Sequence, residues 1–166
     1  MAKKLTVNAV NSAAKNTYKM KKHHLTDING EVWDVVVDEK MNPVKINDVA
    51  RDILVLVAKL QDEGALEEFD LENQYIALLY PMIIRHYTDL DITDKNTAVE
   101  TINSYVNLMN NLISLGLLEQ LIGCFDEEAL ANVFNGFKES TEKMTEHIID
   151  EIKRINEENE TLEEAE

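Results

Sequence analysis

The 166-residue chain, 45% apolar, is long enough to bury a core without disulfide or metal and too apolar for wholesale disorder. A single cysteine, Cys124, excludes an intramolecular disulfide, and a net charge of −16 argues against ordinary nucleic-acid binding, which needs clustered lysine and arginine. The longest apolar stretches, such as Ile76–Ile84, fall well short of the ~20 residues of a membrane span, and no apolar run after Lys3 and Lys4 reads as a secretory signal.

In chain order, residues 1–24 carry Lys3, Lys4, Lys15, Lys19, Lys21 and Lys22 and no acid. Taking these positive charges from the net of −16 leaves −22 on the remainder. Without a sustained apolar period, this segment is expected to be a flexible basic arm, ordered only on binding. Residues 25–46 read as a β-hairpin. Asn29-Gly30 signals a tight turn, Val32–Val37 is β-branched and aromatic, and a second turn at Glu39–Pro43 leads into Val44–Ile46. Trp33, the only tryptophan, is read as a core anchor, with an interface anchor as the alternative.

From Asn47, the expected N-cap, the period becomes helical. Val49, Ile53, Leu56, Val57 and Leu60 recur every three or four residues up to Gly64. Asp70 caps a second helix to Tyr87, which Pro81 is expected to kink or split. Thr93 or Asp94 caps a third helix through Val99, Ile102, Tyr105, Val106, Met109, Leu112 and Ile113 to Gly116. A short helix at Leu117–Ile122 follows, with Gly123 just past it. Asp126 opens the last helix, whose wide apolar stripe of Leu130, Val133, Phe134 and Phe137 belongs against the core. The stripe then narrows to Met144, Ile148, Ile152 and Ile155 among charges, as on a partner-docking helix. The expected fold is mainly α, a domain of about five helices with a small N-terminal β-hairpin. It divides into the arm at 1–24, the helical domain at 25–140, and an extended acidic helix and tail at 141–166.

Chemistry-bearing constellations are poor. His23, His24, His86 and His147 are scattered and match no metal motif, and Cys124 reads as a small buried apolar residue. The run Asp89–Asp94 lacks the central glycine and distal glutamate of a calcium loop, so an inter-helix loop accounts for it better. No catalytic site, cofactor or metal is expected, and the residues point to binding another protein. Candidate partner-binding residues are Trp33, Met109, Leu112, Phe134, Phe137, Met144, Ile148 and Ile152, and an exposed apolar groove is expected between the third helix and the last.

Two stretches carry a resemblance. The first is Ile28-Asn29-Gly30-Glu31-Val32-Trp33-Asp34-Val35-Val36-Val37-Asp38-Glu39-Lys40 with Pro43-Val44-Lys45-Ile46, and the second is Tyr87-Thr88-Asp89-Leu90-Asp91-Ile92, followed downstream by Leu112-Ile113-Ser114-Leu115-Gly116-Leu117-Leu118-Glu119. Together, over residues 25–135, the chain resembles small assembly proteins of phages and prophages of Gram-positive bacteria, and looks most like tail assembly chaperones. That resemblance implies a non-enzymatic chaperone or adaptor in the host cytoplasm. Its partner would be a helical virion protein such as the tape measure protein, kept soluble until tube subunits cover it. Homo-oligomers are compatible with this reading, a membrane is not involved, and nucleic acid is disfavoured. Two alternatives are an acidic, nucleic-acid-mimicking anti-defence inhibitor, motivated by the acidic last helix, and a head–tail structural component using the basic arm as a strap.

Overall fold

A computed structural model describes residues 4–65 and 71–139, the side chains of 71–77 excepted. The fold is mainly α with an N-terminal antiparallel hairpin. Strand β1 (Lys21–Thr26) pairs with β2 (Val32–Val37) in a register running from Lys21 opposite Val37 to Thr26 opposite Val32. Side chains alternate between faces, so Leu25, Val35 and Val37 enter the core while Lys22, His24, Thr26, Val32 and Asp34 face solvent.

The strand begins four residues before the expected Leu25. No apolar alternation marks Lys21–His24, but charge pairing to β2 and its end does. Asp34 receives both Lys22 and His24, with His24 Nδ1 2.6 Å away, and Glu39 receives Lys21 and His23. Opposite charges facing across strands stabilise pairing that hydrophobic pattern alone does not reveal.

The segment taken for an unstructured arm holds a helix, α1 (Val7–Thr17), in addition to the start of β1. The Thr6 hydroxyl caps α1 by accepting from Ala9 N at 3.2 Å, alanines at 9, 13 and 14 favour the helix, and Lys15 sits in its last turn. None of its residues is buried, so no apolar stripe announced it.

The hairpin turn is longer than the two-residue turn that Asn29-Gly30 suggested. It spans residues 27–31, with only Gly30 at positive φ (+84°). The cause is Asp27, whose buried carboxylate accepts from Asn29 N (2.8 Å), Glu31 N (3.0 Å) and Trp33 Nε1 (3.2 Å).

Val44–Ile46, expected to finish the hairpin, instead forms a 3-10 turn (Pro43–Lys45) that runs straight into helix α2 (Ile46–Asp62). Asn42 Oδ1 caps the turn by accepting from Val44 N at 3.1 Å, which leaves Asn47 inside the first turn of α2. At its other end α2 stops as expected at Gly64. That glycine, at φ +68°, lets Ala65 N donate to Leu60 O and its own N–H to Gln61 O, the paired bonds of a Schellman cap.

Helix α3 (Leu71–Tyr87) continues through Pro81 as one element rather than splitting. A proline there costs about 3 kcal/mol. Close packing offsets it, since Leu78, Leu79, Met82, Ile83 and Ile84 are all buried on either side. The expected cap Asp70 lies outside the described residues. At its far end α3 is stitched to β2. Val37 bridges Thr88, Asp38 N donates to Tyr87 O at 2.8 Å, and Asp89 Oδ1 accepts from Val36 N at 2.8 Å.

Helix α4 (Ala98–Ser114) is capped by Thr97, which accepts from Glu100 N, not by Thr93 or Asp94. Helix α5 (Leu117–Ile122) follows Gly116, as expected, and packs against β1. Asp126 opens helix α6, described over 127–139, by accepting from Ala129 N at 3.1 Å. Val133 and Phe137 are buried, and Phe134 meets Tyr80 edge-on, with ring centres 5.6 Å apart. The core lies between α2, α3, α4 and the inner hairpin face, closed by α5 and α6.

Candidate interaction surface

Of the residues expected to line an apolar groove between α4 and α6, the described ones are wholly or partly covered by the fold. Met109, Leu112 and Phe137 are core residues, because the α4 stripe that carries the first two faces the interior. Phe134 is half-buried against Tyr80. Met144, Ile148 and Ile152, together with Ile155 and the whole of 141–166, lie outside the described residues. Trp33 is a surface residue, 48% exposed, so of its two readings the core anchor is the one corrected.

The reason is local. Trp33 sits opposite Leu25 at the end of the hairpin, and its Nε1–H is tied to Asp27, which turns the ring toward the loop. Ile28, in the hairpin loop, is 72% exposed, and Val32, on the strand face opposite to that of Trp33, is 64% exposed. Leaving such side chains in water sacrifices roughly 1.5–3 kcal/mol each relative to burial, so the exposed apolar residues at this end of the hairpin are candidates for contact.

The platform beneath them is held fast. Ile28 N donates to Leu115 O at 3.0 Å, and its Cγ2 lies against Gly116, where a Cβ would stand 3.2 Å away. Gln120 from α5 clamps the edge of β1, accepting from Thr26 N and donating to both Thr26 O and Gly116 O. A rigid platform lowers the ordering cost of binding. Sequence pattern missed Ile28 and Val32. The available signal was an apolar residue immediately before Asn29-Gly30, where a solvated turn would carry a polar one.

A second cluster joins α2, α3 and α4. Arg85 Nη1 lies 2.8 Å from Asp94 Oδ1, Tyr105 donates its hydroxyl to the same oxygen at 2.6 Å, and His86 Nε2 lies 2.9 Å from Asp52 Oδ2. Burial alone would raise the carboxyl pKa of Asp94, but the Tyr105 hydroxyl and the Arg85 charge outweigh it and hold the group below its ordinary range. Burial pushes the Tyr105 hydroxyl well up, keeping it a donor. The adjoining cavity of about 50 Å³ holds no more than water. With each charge matched by a neighbour, this network acts as a polar staple between helices.

Cys124 is half-buried and its thiol donates to Gln120 O at 3.3 Å. Burial first, then the charge of Glu39, raises its pKa and disfavours the nucleophilic thiolate. Among the described residues, no group of three or more His, Cys, Asp or Glu is arranged to hold a metal, and no helix is long and apolar enough to cross a membrane.

No curated protein and no solved structure matches the chain. A family model, YomO, matches residues 7–166, and the protein therefore belongs to the YomO family and is a small phage-associated protein.

Proposed function

We propose that this protein is a non-enzymatic tail assembly chaperone or adaptor that binds a helical virion protein, such as the tape measure protein, through its hairpin end. The observation that carries the reading is Trp33, held 48% exposed at the hairpin end by its indole bond to Asp27, on a hairpin whose edge Gln120 clamps. Tryptophan is the residue type most enriched where binding energy concentrates, and an apolar helix face is its natural complement. The phage association of the family supports the setting, in which such a protein would work in the host cytoplasm during assembly. The charge of −16 would keep a complex with an aggregation-prone helix dispersed.

Nucleic-acid mimicry gains less support. A mimic needs a row of free acids, whereas among the described residues Asp34, Asp48 and Asp126 are each engaged by a lysine or arginine.

Co-expression with the tape measure protein tests the proposal. A soluble complex that purifies intact is expected. A tape measure protein that remains insoluble, with this chain eluting alone, would sink it.

A further inference from the structure

Helix α4 carries a second apolar seam on the outside. Its buried face includes Ala98, Ile102, Tyr105, Met109 and Leu112. Each of these is followed by an exposed residue, giving Val99, Asn103, Val106, Asn110 and Ile113. The spacing of four, three, four, three is that of a coiled-coil seam, rotated about 100° from the core-facing one. Its apolar members are open to solvent, Val99 at 42%, Val106 at 37% and Ile113 at 59%.

Charge identifies the occupant. The chain is 29% charged residues with a net of −16, yet α4 contains a single charged side chain, Glu100. Two copies approaching through any acidic face would repel each other. Through α4 they meet on asparagine, serine and valine. A basic partner would instead be drawn to the acidic surfaces elsewhere.

We infer that this face of α4 is a two-fold interface with a second copy of this chain. The seam is complementary to itself. With the helices parallel, Asn103 and Asn110 each meet their counterparts; with the helices antiparallel about Val106, Asn103 meets Asn110. Either way an amide that donates and accepts faces another, and a polar residue at such a position favours one register and a pair over larger assemblies. Two heptads are too short to dimerise as free peptides, but α4 is already folded against the core, so association carries no helix-forming cost. This inference does not depend on the hairpin-end reading, whose residues lie on other elements.

Light scattering on the full chain provides the test. The wild-type protein is expected at twice its 19.0 kDa, and dimerisation should tighten as salt rises from about 0.05 to 0.5 M, because salt screens repulsion between acidic bodies. Val106→Glu with Asn110→Glu should give the single-chain mass with an unchanged helical circular-dichroism spectrum, while Val44→Glu, exposed and off the seam, should remain dimeric. A single-chain mass for the wild type, or a dimer that survives Val106→Glu with Asn110→Glu, overturns the inference. If that variant loses its helical signal, oxidative cross-linking decides. In a Cys124→Ser background, Asn110→Cys alone, or mixed with Asn103→Cys, should form a covalent dimer, and failure of both combinations rejects the interface.

Discussion

Tyr105 shows how one hydroxyl can set both stability and its pH dependence. It is fully buried and donates to Asp94 Oδ1 at 2.6 Å, beside Arg85. Tyr105→Phe should therefore destabilise the protein by about 1–2 kcal/mol near neutral pH, measured by urea unfolding. Because Asp94 is held below its ordinary value of 3.8, its contribution is complete above that pH and is lost as pH falls through the lower folded-state value. The gap between wild type and Tyr105→Phe should accordingly narrow in acid; a constant gap would mean that the hydroxyl does not act through Asp94. None of this was legible in the sequence, where Asp94 read as a helix cap. Thr97 took that role, freeing Asp94 to meet two residues distant in the chain. Asp27 illustrates the same limit, since a carboxylate that gathers three donors, one of them an indole, cannot be read from the letters Asp-Ile-Asn-Gly.

At the scale of elements, the helices with a buried stripe were legible and those without were not. The α2, α4 and α6 stripes, and the glycines ending α2 and α4, follow from periodicity and backbone freedom. Helix α1 has no buried residue and escaped notice, as did the charged half of β1. Removing residues 1–17 should shift the melting temperature of the remaining chain by no more than about 2 °C, because none of the described residues among them is buried. A larger fall in calorimetry would show that α1 packs on the body. Gly116 is the opposite case. At φ +68°, with Ile28 Cγ2 placed 3.2 Å from any added Cβ, Gly116→Ala both strains the backbone and pushes the hairpin loop from its seat. It should cost about 1–3 kcal/mol, against about 1 kcal/mol for Gly64→Ala, where φ is the same but nothing stands within 4 Å. Equal losses in chemical unfolding would contradict a seated hairpin.

For the whole molecule, the net of −16 and the location of its few uncharged faces organise the account. In the proposed arrangement, acidic surfaces would keep the body dispersed, the α4 seam would let two copies meet, and the hairpin end would be left for a different partner. Of the candidate contact residues, Trp33 is exposed where the sequence favoured a core anchor, because residue type suggests an anchor without saying on which side it lies. Met109, Leu112 and Phe137 were misplaced, since an apolar stripe does not say whether its cover comes from the same chain. That same tryptophan makes the central claim measurable, being the only one in the chain and 48% exposed. Its fluorescence should be followed while a tryptophan-free helical segment of the tape measure protein is added. Burial against that helix predicts a saturable blue shift, with Trp33→Ala weakening the complex by about 2 kcal/mol, or roughly thirtyfold, when binding is measured by calorimetry. A complex that forms with unchanged emission and undiminished affinity in Trp33→Ala would contradict the account and move the binding surface away from the hairpin.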